Sequence, residues 1–378
     1  MKKILLIGST GSIGQATIEV VKHLPQELKL VAICARSYSE TLLNQIKELE
    51  PVYTIVTDPT GQKRLQAEGL DIRDSGMLLE LVRSDRIDTI VFAKSGIELV
   101  EVIFEAIKQK KRICLATKEI IVGFGELINR ELDRHQAELL PIDSEHVALH
   151  QCLDRRRLSD IKRVILTASG GPFFGRRDLS QVTPKEALKH PVWSMGKKIT
   201  IDSATLFNKG LEMIEAHFLY RLPPEKIEVI IHPQSIVHSL VEFTDNSILA
   251  QLSNPDMRLP IQYALLYPER VRSLVEPIDL ARIKTLTFHQ PDYESFPALN
   301  LARKAIVEGG TMPAVLVSAD ETAVDFFIRG KITFVQIAEV IRKTLAIHKK
   351  IEDPDLDDIR SAMDWAKGFV REECSSLS

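Results

Sequence analysis

Two carboxylates two positions apart, Asp143 and Glu145, follow an apolar run in LLPIDSEHVALHQ. In an extended segment residues two apart point the same way, so this pair could present both carboxylates to one cation, the alternative being a polar turn that happens to be acidic. Hard oxygen ligands suit Mg2+ or Mn2+ rather than zinc. Two carboxylates seldom suffice, and a third is offered by TIDSATLFNKGLEMIEAHFLY. There Asp202 or Ser203 is expected to cap a helix, with Leu206, Ile214 and Phe218 as its buried stripe. Asn208, Lys209 and Glu212 then share a neighbouring face by their i, i+3 and i+4 spacing. An amide, an ammonium and a carboxylate together suit a ligand with a phosphate at one end and a metal-chelating oxygen pair at the other. The competing reading is a surface Lys-Glu pair worth roughly a few tenths of a kcal/mol, and spacing alone leaves both open. His146 and His150 flank the acidic motif and are not read as ligands.

Ser169 in TASGGPFFG sits beside two glycines, where bare amides and a hydroxyl can wrap an anion. LKHPVWSMGKKITIDS then places His190, Trp193 and Met195 in a loop. A loop tryptophan is costly to leave in water, so it either plugs a core gap or folds over a ligand as a lid.

The chain opens with a third kind of chemistry. KILLIG runs into Gly8-Ser-Thr-Gly11-Ser-Ile-Gly14 and then into the helical QATIEVVKHL. Glycines there permit a tight turn and the approach of a pyrophosphate to the amides of a helix N-terminus. A bare strand-to-helix turn with no ligand is the alternative. The second strand ends at Ala35-Arg36-Ser37, where an NAD-binding chain would carry an acidic residue. An arginine and a hydroxyl suit a 2′-phosphate and favour NADP, against which stand Glu40 nearby and the reading of Arg36 as a solvated loop charge.

Elements must position these residues. Over residues 1–142 the apolar runs KILLIG, KLVAICA, YTIVTD, TIVFA, RICLAT and ELLPID alternate with helical patterns, which argues for a Rossmann-like, doubly wound parallel sheet. From 143 to 266, strands in RVILTASGGPF, KIEVIIHPQSIVHSLVEF and SILAQLS surround one marked helix, an α+β pattern. The irregular, proline-bearing stretch 267–292 reads as a linker, and 293–378 as an all-α domain punctuated by Gly309, Gly310 and Pro313. A chain of 378 residues accommodates two or three such domains.

Composition narrows the function classes. With 44% hydrophobic and 27% charged residues and a net charge of -3, the chain reads as a globular protein and not as a nucleic-acid or membrane-surface binder. Cys34, Cys114, Cys152 and Cys374 form no C-x-x-C pair and are expected as reduced thiols of a cytoplasmic protein. The opening MKKILLIG is too short in its apolar run for a signal-peptide core.

Taken in order, GSTGSIG, ATKE, PIDSEH, SGGPF, HPVWSMGKKITIDSATLFNKGLE, HPQSIVHSLVEF and LAQLSNPDMRLPIQYAL resemble the 1-deoxy-D-xylulose 5-phosphate reductoisomerase family over nearly the whole chain. The resemblance implies an NADPH domain, a catalytic α+β domain that also forms a homodimer interface, and a C-terminal helical domain. It implies Asp143, Glu145 and Glu212 as metal ligands, with Lys118 joining them in the catalytic set. Ser144, Glu145, Ser169, His190, Trp193, Ser203, Asn208, Lys209 and Glu212 are implied as substrate contacts, Trp193 as the lid. Gly8, Thr10, Gly11, Ser12, Ile13, Gly14, Ala35, Arg36, Ser37, Thr117, Lys118, Glu119, Met195 and Gly196 are implied as cofactor contacts. The chain departs from the family's usual residues at Thr117, at Lys94, Ser95 and Leu99, at Ser37 and Tyr38, and in LVSADE of the tail.

The reaction so implied is a metal-assisted rearrangement of 1-deoxy-D-xylulose 5-phosphate followed by hydride transfer from NADPH, giving 2-C-methyl-D-erythritol 4-phosphate for the non-mevalonate isoprenoid pathway. Three other readings compete: a metal-independent NADP dehydrogenase of another small substrate, a silent dinucleotide-binding protein, and a divergent reductoisomerase for a related sugar phosphate.

Overall fold

A computed structural model describes residues 1–94, 96–153, 156–193 and 195–377. The chain divides into two compact units, the first made of Met1–Thr117, Ile128–Val147 and Asp256–Glu276, the second of Lys118–Leu127, Ala148–Pro255 and Pro277–Ser378.

The first unit is built on seven strands: β1 (Lys2–Ile7), β2 (Leu28–Ala35), β3 (Tyr53–Val56), β4 (Ile72–Arg73), β5 (Thr89–Phe92), β6 (Arg112–Leu115) and β7 (Leu139–Pro141). All neighbours are parallel, in the order β4-β3-β2-β1-β5-β6-β7. Near-continuous apolar runs make these strands, because a parallel sheet is covered on both faces; Ile4, Leu5, Leu6 and Ile7 of β1 are 0% exposed. The strand order reverses between β1 and β5, the switch point at which doubly wound sheets open a crevice beyond their carboxyl ends. The doubly wound expectation holds. Only β4 lacked a sequence signal, being two residues long at the sheet edge.

The helix Arg258–Leu266 departs from expectation. Sequence placed 256–266 with the α+β region, but in the structure it packs on the Ser12–His23 helix and on β6. Ile261, Ala264 and Leu265 are fully buried there. Lys2 Nζ donates to the Leu265 carbonyl at 2.6 Å, and Arg258 pairs with Glu19 at 2.9 Å. The stretch read as a linker is likewise ordered in parts: Leu280–Ile283 is a helical turn, and His289 bridges to Ile231.

The second unit holds the sheet β11-β10-β8-β9, with β8 (Ile161–Ala168) and β9 (Ile227–Ile231) parallel and β10 (Val237–Phe243) antiparallel to β8 and to β11 (Ile248–Leu252). The helix Phe207–Tyr220 packs on this sheet and on the helix Ala298–Glu308, with Gly210 letting Ala302 approach closely. Met312–Ile328 packs on Phe334–Ile347, Leu356–Leu377 and Lys197–Thr205. Ala298–Glu308 stops at Gly309, whose φ is +66°, and Pro313 lies in the first turn of the next helix, so the glycine and proline act as expected.

Candidate active site

In the first unit the loop after β1 is shaped by close backbone contacts. A Cβ on Gly8, at φ +89°, would stand 2.6 Å from the Ala93 carbonyl oxygen, and one on Gly14 would stand 2.2 Å from the Gly8 oxygen. Neither position has room for a side chain. The Ser12–His23 helix starts at Gly11 with no side-chain cap, and Gly11 and Ser12 are exposed, so first-turn amides are open to an anion beside Thr10 and Ile13. The residues present therefore fit a dinucleotide pyrophosphate.

Beyond buried Ala35 at the end of β2, Arg36 and Ser37 are exposed. The Glu40 carboxylate accepts from the Tyr38 hydroxyl at 2.8 Å, which turns the nearby acid to a tyrosine and removes the objection it raised to a 2′-phosphate. Arg64 lies over the Tyr38 ring, 3.6 Å from its centroid, a cation that sequence reasoning missed because only folding brings the Pro59–Ala67 helix to this strand end. Two of the departures noted above meet each other: the Thr117 hydroxyl donates to the Lys94 carbonyl oxygen, and Lys94 pairs with Glu98. Leu99 precedes the Val100–Lys108 helix; Ser95 lies outside the described residues.

Asp143 and Glu145 do not lie in an extended segment as expected. β7 ends at Pro141, and the Asp143 carbonyl accepts the Val147 amide at 2.9 Å, so Asp143 stands at the start of the Ser144–Leu153 helix and Glu145 in its first turn. The chain turns because Asp and Ser favour helix starts. One carboxylate oxygen of each nevertheless lies within 4.8 Å of the other. The Ser144 hydroxyl donates to Glu145 Oε2 at 2.5 Å.

In the second unit Asp202 and Ser203 do not cap the helix of Glu212. Both lie inside Lys197–Thr205, and the break falls at Leu206, whose left-handed φ of +63° separates that helix from Phe207–Tyr220. The predicted face on the second helix is real. Glu212, 1% exposed, accepts from Asn208 Nδ2 at 2.5 Å, from Lys118 Nζ at 3.2 Å and from Lys209. Lys118 Nζ also donates to Asn208 Oδ1 at 2.7 Å. Lys118 and Lys209 are 5% and 3% exposed, so this is a buried ion cluster and not a surface pair. Two ammoniums and an amide hold one carboxylate in place, the oxygen-donor chemistry a hard divalent cation needs from a ligand.

Ser169 follows β8, with Gly170 and Gly171 at positive φ. A Cβ on Gly171 would stand 2.8 Å from the Ser203 carbonyl oxygen, so the two serine-bearing backbones approach closely. His190 Nδ1 accepts the amides of Val192 and Trp193 at 3.1 and 2.9 Å. Its proton therefore sits on Nε2, which reaches Ser169 Oγ at 3.0 Å. Burial lowers the His190 pKa below its usual value, which keeps the ring neutral and Nδ1 an acceptor. Trp193 and Met195 are half-buried and Gly196 caps the Lys197–Thr205 helix. Glu119 lies in the first turn of Lys118–His135.

A switch-point glycine loop in one unit and, in the other, a buried carboxylate–ammonium cluster on the helix that follows the one bearing Ser203 mark the class as a dinucleotide-dependent oxidoreductase. Three family models match in chain order: 1-deoxy-D-xylulose 5-phosphate reductoisomerase over 4–125, its C-terminal domain over 139–220, and the DXP reductoisomerase C-terminal domain over 252–369. The chain is 46% identical to the 1-deoxy-D-xylulose 5-phosphate reductoisomerase of Symbiobacterium thermophilum over 99% of both chains. It is 48% identical to that of Caldanaerobacter subterraneus subsp. tengcongensis over 96% of both. Among solved structures it is similar to a DOX-P reductoisomerase in complex with NADPH, fosmidomycin and magnesium (36% identity, TM-score 0.94, 100% and 99% covered). It is also similar to the Zymomonas mobilis enzyme in complex with NADPH (35%, TM-score 0.92, 99% of both). The chain belongs to the 1-deoxy-D-xylulose 5-phosphate reductoisomerase family.

Proposed function

We propose that this protein rearranges and reduces 1-deoxy-D-xylulose 5-phosphate to 2-C-methyl-D-erythritol 4-phosphate with NADPH and Mg2+ or Mn2+, in the non-mevalonate isoprenoid pathway. The observation that carries the reading is the Glu212 carboxylate, buried and held by Lys118, Asn208 and Lys209. Family membership and the NADPH and magnesium complexes of similar structures support it.

Asp143, Glu145 and Glu212 are the residues that would hold the cation, and Lys118 and Lys209 fix the Glu212 carboxylate as the outer groups of a metal site do. A bound divalent ion supplies Lewis-acid polarisation of the substrate's carbonyl and adjacent hydroxyl. Ser169, Ser203, Asn208, Lys209 and His190 bind and orient the phosphate end, Ser144 the end near the metal, and Trp193 covers the substrate against water. The amides at Thr10, Gly11, Ser12, Ile13 and Gly14 take the cofactor pyrophosphate beside Gly8, with Arg36 and Ser37 at the 2′-phosphate beyond Ala35. Thr117, Lys118, Glu119, Met195 and Gly196 line the nicotinamide side.

We assign the cofactor role to residues 1–142, the catalytic role and a homodimer interface to 143–266, a linker to 267–292 and a helical domain to 293–378, in a cytoplasmic protein. The order of the three family matches supports that plan. Among the described residues no helix is long and apolar enough to cross a membrane.

The test follows NADPH absorbance after addition of 1-deoxy-D-xylulose 5-phosphate with Mg2+ or Mn2+, then with excess chelator. Metal-dependent oxidation is expected. Oxidation that survives the chelator would point to a metal-independent reductase, and NADPH binding without oxidation to a silent binder.

A further inference from the structure

The second unit buries another ion network, and its Lys198, Asp202 and Asp320 have none of the roles above. Lys198 Nζ lies 2.5 Å from Asp202 Oδ2, 2.7 Å from Asp320 Oδ2 and 4.0 Å from Glu119 Oε1. The Asp202 and Asp320 side chains are 2% and 0% exposed, while Lys198 keeps 27%. Among the described residues the Oδ1 atoms of both aspartates are buried without a hydrogen-bond partner. A buried carboxylate is tolerated only when paired, so Lys198 is the group on which both depend. Burial raises the pKa of each aspartate; burial alone would lower that of Lys198, but Asp202, Asp320 and Glu119 raise it.

The placement of these residues gives the network a task. Lys198 is the second residue of the Lys197–Thr205 helix, which follows Trp193 and Met195 and carries Ser203. Asp320 lies in Met312–Ile328, which packs on that helix. Glu119 is the neighbour of Lys118. Three helices therefore share one ammonium: the exit of the His190–Trp193 loop, the start of the Lys118 helix and the centre of the helical tail.

We propose that Lys198 and Asp320 are positioning residues that anchor the exit of the His190–Trp193 loop against Ser203 and Lys118. The proposal rests on the reading of that loop as a substrate lid. Asp202 alone could satisfy Lys198 within one helix turn, so the Asp320 contact, at 2.7 Å against 4.0 Å for Glu119, is the closest tie of the loop's helix to another element.

The chain has two tryptophans, Trp193 and Trp365. Trp365 stacks on Phe369 and lies outside the proposed machinery, so a Trp365→Phe background leaves Trp193 as the fluorescent reporter. In that background Asp320→Leu, Asp320→Asn and Lys198→Met are compared by acrylamide quenching, thermal unfolding and steady-state kinetics. Asp320→Leu is expected to raise the Trp193 quenching constant about threefold and the substrate KM about tenfold, with kcat changed less than about threefold and one cooperative melt retained. Asp320→Asn, of the same shape and still an acceptor, should recover most of both. Lys198→Met strands two buried carboxylates; if it does not fold, the Asp320 variants decide. Unaltered quenching and KM in Asp320→Leu, or a fall in kcat and stability that moves neither, overturns the proposal. Quenching needs neither substrate nor cofactor, so a chain inactive on this sugar phosphate would remove the functional reading and leave the anchor to be judged by fluorescence alone.

Discussion

Lys118 and Glu212 stand 3.2 Å apart at positions 94 residues apart in sequence, both buried. Lys118 opens one helix and Glu212 lies in the middle of another, so the pair fixes the carboxylate of a proposed metal ligand. Removing one member of a buried, hydrogen-bonded pair leaves the other uncompensated.

Glu212→Gln is therefore expected to lower turnover by about a thousandfold or more, since it removes both the proposed metal ligand and the partner of two ammoniums. NADPH affinity should change less than about twofold, because the pyrophosphate loop belongs to the first unit. Stability should fall by about 1–3 kcal/mol. Stopped-flow turnover, fluorescence titration with NADPH and chemical denaturation check the three parts, and unchanged turnover would sink the metal assignment.

Gly14→Ala tests the cofactor loop. Its Cβ would meet the Gly8 carbonyl oxygen at 2.2 Å, which forces the backbone apart and costs about 1–3 kcal/mol. The loop must shift to relieve the clash, so NADPH affinity should drop together with the melting temperature. Gly69→Ala is the control for glycine loss, since a Cβ there meets nothing within 4 Å, although its φ of +81° carries its own strain.

His190 gives the loop a pH dependence. Its folded pKa lies below the ordinary histidine value of 6.5, so between the two values the unfolded chain binds the proton that the folded one refuses. Stability contributed by the loop is therefore present above about pH 6.5 and falls as pH drops toward the folded pKa. Protonation of Nδ1 would also expel the Val192 and Trp193 amides. Trp193 quenching should rise as acidification reaches the folded pKa, below pH 6.5, and should lose that dependence in His190→Gln; an imidazole titrating at or above pH 6.5 by NMR contradicts the account.

Cys34, Cys114, Cys152 and Cys374 are all buried free thiols, with burial pushing Cys34 and Cys114 to about 12 and Cys152 and Cys374 to about 11. Thiolate is the reactive form, so all four should resist an aromatic disulfide reagent in the native state and react together on unfolding. Fast labelling of any one under native conditions would show that its element opens locally.

Much of this protein is legible before folding is considered. Apolar runs alternating with amphipathic helices determine the first sheet, since local periodicity decides which face a residue buries. The glycine spacing at Gly8, Gly11 and Gly14 determines the loop for a similar reason, as backbone sterics act over a few residues. The face shared by Asn208, Lys209 and Glu212 follows from helical spacing alone. Tertiary structure decided what spacing left open. It buried that face and brought Lys118 to it, which turned an ambiguous Lys-Glu pair into an ion cluster. Packing sent Arg258–Leu266 back to β6, where its apolar face found cover, and it set Asp320 against Lys198. These outcomes depend on contacts between residues ninety or more positions apart, whose free energy belongs to the assembled core and is written in no local pattern.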